Sequence, residues 1–197
     1  MKKKILILGM ALMLAAGISA CNASSKTSSS EATTTESKQA DAKAEDSKQA
    51  ESDKEDKKFP EFTAKTVSGE DISSDLFKDS KLTVVNVWGS WCGPCVQEIP
   101  ELQKLYESMK DKDVNVIGLA QDAGTDLDAV KEIIDKNKVT YQNIVPEGAT
   151  EDFVMSIMAF TTTFFVDSDR NIVGVIQGNR NLEAFTAAVE GVLEKLK

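Results

Sequence analysis

The sequence predicts one α/β domain over residues 59–197, in which strands alternate with helices. Two apolar runs rich in β-branched residues, Leu82–Trp88 and Val114–Ala120, have the composition of buried strands. A stripe of apolar residues at helical spacing follows each run. Two further strand-like runs near the C-terminus, Thr162–Asp167 and Ile172–Gln177, flank a polar turn, which is typical of a hairpin. A domain of this length can bury an ordinary hydrophobic core.

The first half of the domain begins with a predicted hairpin, residues 63–67 and 71–72, around a Ser-Gly turn. A short helical connection, residues 73–78, leads to the Leu82–Trp88 strand, which is dense in β-branched and aromatic residues without clean alternation and so predicts a central strand buried on both faces. The apolar stripe over residues 96–109 predicts a helix, and Pro100 inside it should produce a kink.

In the second half, Thr125 is positioned to begin a helix after the Val114–Ala120 strand. Gln142–Val145 predicts a short strand, and Thr150 is expected to cap a helix over residues 153–158. Asn181 should cap a final helix. The predicted order is therefore a hairpin, then β-α-β-α, then β-β-α.

The charge of the chain is strongly negative. It has 23 Lys and Arg against 32 Asp and Glu, a formal net charge of −9, and most of the excess acidity lies after residue 58. This balance disfavours binding to nucleic acid or to an anionic membrane surface, and it favours solubility.

A dithiol lies between the first central strand and the helix that follows it, in the stretch Trp91-Cys92-Gly93-Pro94-Cys95. Two cysteines with this spacing can close a disulfide when the second lies one turn into a helix. Cys92 then lies at the helix N-terminus, where the helix dipole and unpaired N–H groups lower the pKa of a thiol from about 8.5. We therefore predict that Cys92 is the nucleophile and Cys95 the resolving thiol.

Two other interpretations of the cysteine pair are disfavoured. A structural zinc site needs four ligands, usually Cys and His, but the chain has no histidine and only one further cysteine, Cys21. An unreactive pair of thiols in a turn is disfavoured by the Gly-Pro between the cysteines and by the preceding Trp. No metal and no cofactor is expected.

Trp-Cys-Gly-Pro-Cys after a Val-Val-Asn-Val-Trp strand resembles the signature of the thioredoxin fold, and the variant is similar to the membrane-tethered thiol-disulfide oxidoreductases of the TlpA/ResA type. The resemblance covers about residues 59–197. It implies a thioredoxin fold with an N-terminal β-hairpin extension and a central helical insertion, the mixed sheet being flanked by helices. It also implies exchange between the dithiol and the disulfides of other proteins.

The resemblance also assigns roles around the dithiol. A glutamate followed two residues later by proline occurs at Glu98 and Pro100, which implies that Glu98 handles protons for Cys95. The alternative is that Glu98 is an ordinary solvated surface acid. Asn86 replaces the buried aspartate of cytoplasmic thioredoxins and is expected to make local hydrogen bonds. Trp91 should cover the disulfide, whereas Trp88 is expected in the core.

The chain departs from the family at Thr161, where the family has a cis-proline before a strand that faces the dithiol. A cis bond before a residue other than proline costs about 2.5 to 4 kcal/mol. The Phe160–Thr161 peptide is therefore expected to be either strained or, more simply, trans. Thr161 also brings an additional N–H and a hydroxyl close to the sulfurs, which could allow adventitious metal binding.

The N-terminus predicts export. A basic segment, an apolar run and the sequence Ile-Ser-Ala-Cys ending at Cys21 resemble a bacterial lipoprotein signal, so residues 1–20 would be removed and Cys21 lipidated. Residues 21–58 are rich in Ser, Thr, Lys and Glu and predict a disordered tether with a reach of roughly 35 Å. The alternatives are an uncleaved transmembrane anchor, for which the apolar run is short, and a helical stalk in place of the tether.

These features predict an extracytoplasmic, lipid-anchored, monomeric enzyme that reduces disulfides in exported proteins and obtains electrons from a membrane thiol carrier resembling the CcdA/DsbD family. Gly93 and Pro94 between the cysteines resemble thioredoxin itself, which favours a reductase. The alternatives are an oxidase for the folding of exported proteins and a binding or metal-holding module with little redox turnover.

Overall fold

The computed structural model describes residues 58–197, which form a seven-stranded sheet with helices packed against it. The strands are β1 (Thr63–Thr66), β2 (Asp71–Ser73), β3 (Leu82–Trp88), β4 (Val114–Ala120), β5 (Gln142–Val145), β6 (Thr162–Asp167) and β7 (Ile172–Gln177). The α-helices are α1 (Gly93–Met109), α2 (Leu127–Lys136), α3 (Ala149–Met155) and α4 (Leu182–Lys195), with 3-10 turns at Ser74–Asp79 and Lys110–Lys112.

The strand order is β2-β1-β5-β4-β3-β6-β7, so β3 lies near the middle of the sheet. It pairs in parallel with β4 and antiparallel with β6, which makes the sheet mixed. All seven residues of β3 are buried, as the lack of alternation in this β-branched and aromatic run predicted. The prediction of an α/β fold with a mixed sheet flanked by helices is confirmed.

The alternation of side chains along β3 divides the core between the two faces of the sheet. Val85 and Val87 pack against phenylalanines of the N-terminal segment and against α3. Leu82 and Val84 pack against α1 and α4. A third cluster surrounds the dithiol and includes Trp88. The carboxyl end of β3 therefore delivers the dithiol to the edge of the sheet while its neighbours are held in the core.

Three helix starts differ from the predictions. Helix α1 begins at Gly93, three residues earlier than the apolar stripe indicated, and α2 is capped by the side chain of Asp126 instead of Thr125. Helix α3 begins at Ala149, directly after Gly148, whose positive φ of 52° keeps the residues before it out of the helix. Thr150 lies inside α3 and its hydroxyl bonds the backbone of Glu147, so it does not cap the helix.

Helix α3 also ends earlier than predicted, at Met155. The hydroxyl of Ser156 donates to the carbonyl oxygen of Phe153 at 2.6 Å, and the chain then leaves the helix towards β6. Helix α1, in contrast, is continuous through Pro100.

The predicted signal segment, Cys21 and the tether up to residue 57 lie outside the described residues. Lys58, the first described residue, forms an isolated antiparallel β-bridge with Asn171. Within residues 58–197, every helix is too short or too polar to cross a bilayer.

Candidate active site

Cys92 and Cys95 form a disulfide at the start of α1, with their Cα atoms 5.3 Å apart. Cys92 occupies the N-cap position, where its sulfur accepts a hydrogen bond from the backbone N–H of Cys95 at 3.4 Å. Cys92 is 6% exposed and Cys95 is fully buried. Cys92 is therefore the sulfur that a protein partner can reach, and Cys95 lies behind it.

The loop before Cys92 is held by Gln121 and Asp122, which belong to no motif in the sequence. Ser90 donates its backbone N–H and its hydroxyl to the carboxylate of Asp122, and Trp91 Nε1 donates to Gln121 Oε1 at 3.0 Å. Gln121 and Asp122 follow β4 directly. Because β3 and β4 are parallel and paired, their carboxyl ends meet at the same edge of the sheet. The residues that follow two neighbouring parallel strands can therefore be expected to lie close together.

Trp91 lies at the surface, 61% exposed, with its ring centroid 5.2 Å from that of Phe160 in an edge-on arrangement. Gly93 and Pro94 are exposed in the first turn of α1, and the carbonyl oxygen of Pro94 accepts from Asn179 Nδ2 at 2.9 Å. Trp88 is fully buried, as expected, and donates from Nε1 to Asn143 Oδ1 at 2.9 Å. Aromatic rings thus lie on the surface beside Cys92 and in the core below it.

Glu98 is fully buried, which is inconsistent with the alternative of a solvated surface acid. It lies one helical turn after Cys95, on the inward side of α1. Oε1 accepts from Asn86 Nδ2 at 2.8 Å and from the hydroxyl of Thr161. Oε2 accepts from the backbone N–H of Arg180 at 3.2 Å. Three elements of the fold therefore supply hydrogen bonds to this one carboxyl group.

Burial raises the pKa of Glu98 above its ordinary value, because a charged carboxylate is poorly solvated there. The hydrogen bonds from Thr161, Asn86 and the N–H of Arg180, together with the positive charge of Arg180, oppose this rise. Such a group can exchange a proton closer to neutral pH than an exposed glutamate can.

Asn86 does more than the expected local hydrogen bonding. Its Nδ2 reaches out of β3 to Glu98 and also lies 3.3 Å from Thr161 Oγ1 and 3.0 Å from Thr163 Oγ1. Its Oδ1 is buried without a hydrogen-bond partner. The amide therefore presents donors, not acceptors, to Glu98 and fits the ionised carboxylate.

The Phe160–Thr161 peptide is cis, so the simpler expectation of a trans bond is wrong. Thr161 lies just before β6, is 1% exposed, and its carbonyl oxygen accepts from the N–H of Gly178 at 2.8 Å. The flanking β6 strand pairs with β3 at Val87 and Asn86, which brings Thr161 to the end of β3 that carries the dithiol.

Metal binding would require a cluster of side chains that can act as ligands. Within residues 58–197, no group of three or more Cys, Asp or Glu side chains is arranged to hold a metal ion. What the described residues bring together is a disulfide, a buried carboxyl group and hydroxyl and amide groups around it. This arrangement is suited to transferring two electrons and a proton.

Comparison with known proteins supports this interpretation. Residues 56–175 match the AhpC/TSA family. The chain belongs to this family. It is 30% identical over 140 residues to the thiol-disulfide oxidoreductase ResA of Bacillus anthracis, a match that covers 71% of this chain and 77% of that protein.

Two solved structures of similar proteins share the fold of this AhpC/TSA family member. StoA from Bacillus subtilis superposes with a TM-score of 0.55 at 24% identity, covering 65% of this chain and 95% of that one. A thiol:disulfide interchange protein from Chlorobium tepidum TLS gives a TM-score of 0.59 at 24% identity, covering 72% and 99%. The predictions of a thioredoxin-like fold and of a thiol-disulfide oxidoreductase are confirmed.

Proposed function

We propose that this protein is an extracytoplasmic reductase of disulfides in exported proteins, with Cys92 as nucleophile, Cys95 as resolving thiol and Glu98 as proton acceptor. The observation that carries the proposal is the position of the Cys92–Cys95 disulfide: Cys92 caps α1 at the surface and Cys95 is buried behind it. A cysteine at a helix N-terminus is favoured as a thiolate, which is the reactive form.

The proposed reaction begins with the reduced dithiol. The Cys92 thiolate attacks one sulfur of the substrate disulfide, a mixed disulfide forms, and the first substrate sulfur leaves as a thiolate that takes up a proton. Cys95 then loses its proton to Glu98 and attacks the sulfur of Cys92. The Cys92–Cys95 disulfide forms, the second substrate sulfur leaves as a thiolate that takes up a proton, and two electrons have passed to the substrate.

The role of Glu98 is supported by its burial and its position one turn after Cys95. The thiolate and not the thiol is the nucleophile, so Cys95 needs a nearby base to take its proton before it can attack. A carboxyl group whose pKa is itself raised by burial is a suitable base near neutral pH.

The direction of the reaction is supported by Gly93 and Pro94 between the cysteines, which resemble thioredoxin with its potential of about −270 mV. Electrons would come from a membrane thiol carrier resembling the CcdA/DsbD family. An equilibrium potential closer to about −120 mV would instead favour the alternative of an oxidase.

The proposed organisation is a signal segment over residues 1–20, a lipidated Cys21 with a tether to residue 58, and the catalytic domain over residues 59–197. Two acyl chains on Cys21 would supply the two signals that stable anchoring requires. Mature protein should fractionate with membranes, and a Cys21→Ala protein should not. A Cys21→Ala protein that stays with the membranes would revive the transmembrane anchor.

The test of the activity is reduction of insulin disulfides by the purified protein, with dithiothreitol as electron donor. We expect turnover by the parent protein, no turnover by Cys92→Ser, and unchanged turnover by Cys21→Ala, which serves as the matched cysteine control. Full turnover by Cys92→Ser would refute the assignment. A parent protein that does not turn over would favour the binding module.

A further inference from the structure

Thr161 lies between the surface beside the dithiol and the buried carboxyl group of Glu98. Its neighbour Phe160 packs against the exposed ring of Trp91, next to Cys92. The carbonyl oxygen of Thr161 is occupied by the N–H of Gly178, and its hydroxyl is directed to Glu98 Oε1. One residue thus joins the surface that a partner reaches to the group proposed to take the proton.

The three donors to Glu98 differ in what they can do when that group gains a proton. The backbone N–H of Arg180 can only donate, and Asn86 presents its NH₂ group while its oxygen is buried elsewhere without a partner. A protonated carboxyl group needs an acceptor for its O–H. The hydroxyl of Thr161 both donates and accepts, so of these three groups it alone can accept a hydrogen bond from the protonated carboxyl group without the turning of an amide.

The charged and titratable groups around Glu98 are few. The guanidinium of Arg180, in the loop between β7 and α4, stabilises the carboxylate. Burial raises the pKa of the Tyr141 phenol, and the charge of Glu98 raises it further, so Tyr141 is neutral near pH 7. The dithiol Cys92 and Cys95 lies one turn earlier on α1. Among the interactions that lower the pKa of Glu98, the hydrogen bond from Thr161 is the largest.

We propose that Thr161 is a positioning residue for the reaction, whose hydroxyl keeps Glu98 ionised until Cys95 delivers its proton and then accepts a hydrogen bond from the protonated carboxyl group. This inference rests on the proposed role of Glu98 as the base for Cys95. Proline, which the TlpA/ResA pattern has at this position, has no hydroxyl and could not serve in this way. The threonine therefore links the segment beside the dithiol to the proton chemistry below it.

Two variants separate the hydroxyl from the shape of the side chain. Thr161→Val keeps the branched shape and removes the hydroxyl, whereas Thr161→Ser keeps the hydroxyl. In Thr161→Val the pKa of Glu98 should rise, because the largest interaction that opposes the effect of burial is lost. Resolution of the mixed disulfide should then be several-fold slower at pH 6, and the deficit should disappear as the pH is raised. Thr161→Ser should behave as the parent protein does.

The experiment measures two quantities in the full-length mature protein. The titration of Glu98 is followed in the oxidised form by the ¹³C shift of its carboxyl carbon, with Glu98→Gln to assign the signal. The rate of resolution is followed by stopped flow against pH, with glutathione mixed disulfide formed on Cys92 as the starting species. Relative to the parent protein, we expect both pH profiles of Thr161→Val to shift to higher pH. Neither profile of Thr161→Ser should shift.

Unchanged titration of Glu98 in Thr161→Val would overturn the proposal, as would an equal shift in Thr161→Ser. If the titration shifts in Thr161→Val but resolution is unaffected there and in Glu98→Gln, the role of Glu98 as base is overturned, whereas the coupling of Thr161 to Glu98 is supported.

Discussion

Asn86 Nδ2 donates to Glu98 Oε1 across 2.8 Å and joins the central strand β3 to helix α1 below the disulfide. Both side chains are fully buried, so the interaction is shielded from water and from salt. It fixes Glu98 on the inward side of α1, one turn from Cys95. The consequences for catalysis and for stability can be tested separately.

Glu98→Gln should slow the resolution of the mixed disulfide more than its formation. Formation needs the Cys92 thiolate, which the helix N-terminus stabilises, whereas resolution needs a base for Cys95. Loss of a general base typically costs about 10² to 10⁴-fold in the step that it assists. Stopped-flow measurement of both steps checks this, and equal slowing of both, or of neither, would contradict the role.

Glu98→Gln should also change how stability depends on pH. Because burial raises the pKa of Glu98 in the folded protein above its unfolded value of about 4.3, the folded protein binds more protons between the two values. The free energy of unfolding of the parent should therefore fall as the pH rises through this window. Glu98→Gln should lack this fall, so the variant gains relative to the parent with rising pH.

Urea unfolding of the oxidised proteins between pH 2.5 and pH 8 measures this difference, and Glu101 on the same helix provides the control, whose effect falls at the acid end of this range. A hydrogen bond from Lys104 and the N–H of Leu182 lower the pKa of Glu101, so its contribution to stability is present at higher pH and is lost as the pH falls. Glu101→Gln should show a difference of opposite sign. A parallel pH dependence for the parent and Glu98→Gln would show that burial does not disfavour this charge.

Asn86→Asp would replace the donor to Glu98 with a second carboxyl group. Two carboxylates in hydrogen-bond contact do not both ionise readily, so the pair should retain one proton near neutral pH. We expect the free energy of unfolding to fall by about 3 to 5 kcal/mol at a pH where both carboxyl groups are ionised, and to recover as the pH is lowered. Asn115→Asp, on neighbouring β4 at a half-buried position, is the matched control and should change little. Equal, pH-independent losses would contradict the coupling.

Gly118 on β4 should not tolerate alanine. A Cβ atom there would clash with Asn143 Oδ1 and lie 2.9 Å from Trp88 Nε1. These two atoms form the hydrogen bond that holds Trp88 in the core cluster around the dithiol. Overpacking of this kind costs about 1 to 3 kcal/mol. Gly191→Ala in α4 is the control, because its Cβ would meet no atom within 4 Å and alanine stabilises a helix by about 0.5 to 1 kcal/mol over glycine. Urea unfolding should give a lower free energy of unfolding for Gly118→Ala and a higher one for Gly191→Ala than for the parent protein.

The elements and the dithiol could be predicted because their signals are local. The buried run of β3 and the spacing of Cys92, Cys95 and Glu98 along α1 follow from periods that the sequence itself displays. The start of α3 could not be placed in this way, because the positive φ of Gly148 and not an apolar stripe sets it.

The partners of Glu98 were hidden for a different reason. Asn86 precedes Glu98 by 12 residues, and Thr161 follows it by 63, so that only the pairing of β3 with β6 brings all three together. No local spacing encodes such a contact. The resemblance to a family drew attention to Thr161 as a departure but gave no indication that its hydroxyl would bond the carboxyl group.

The most direct test of the account is to trap the mixed disulfide. The purified Cys92→Ser and Cys95→Ser proteins are mixed with insulin, quenched with acid, and analysed by non-reducing electrophoresis and by mass spectrometry of the joined peptides. Cys92 is 6% exposed and Cys95 is fully buried, which predicts that Cys95→Ser accumulates an adduct joined through Cys92 and that Cys92→Ser accumulates none. A comparable adduct through Cys95 in the Cys92→Ser protein would contradict the assignment of nucleophile and resolving thiol.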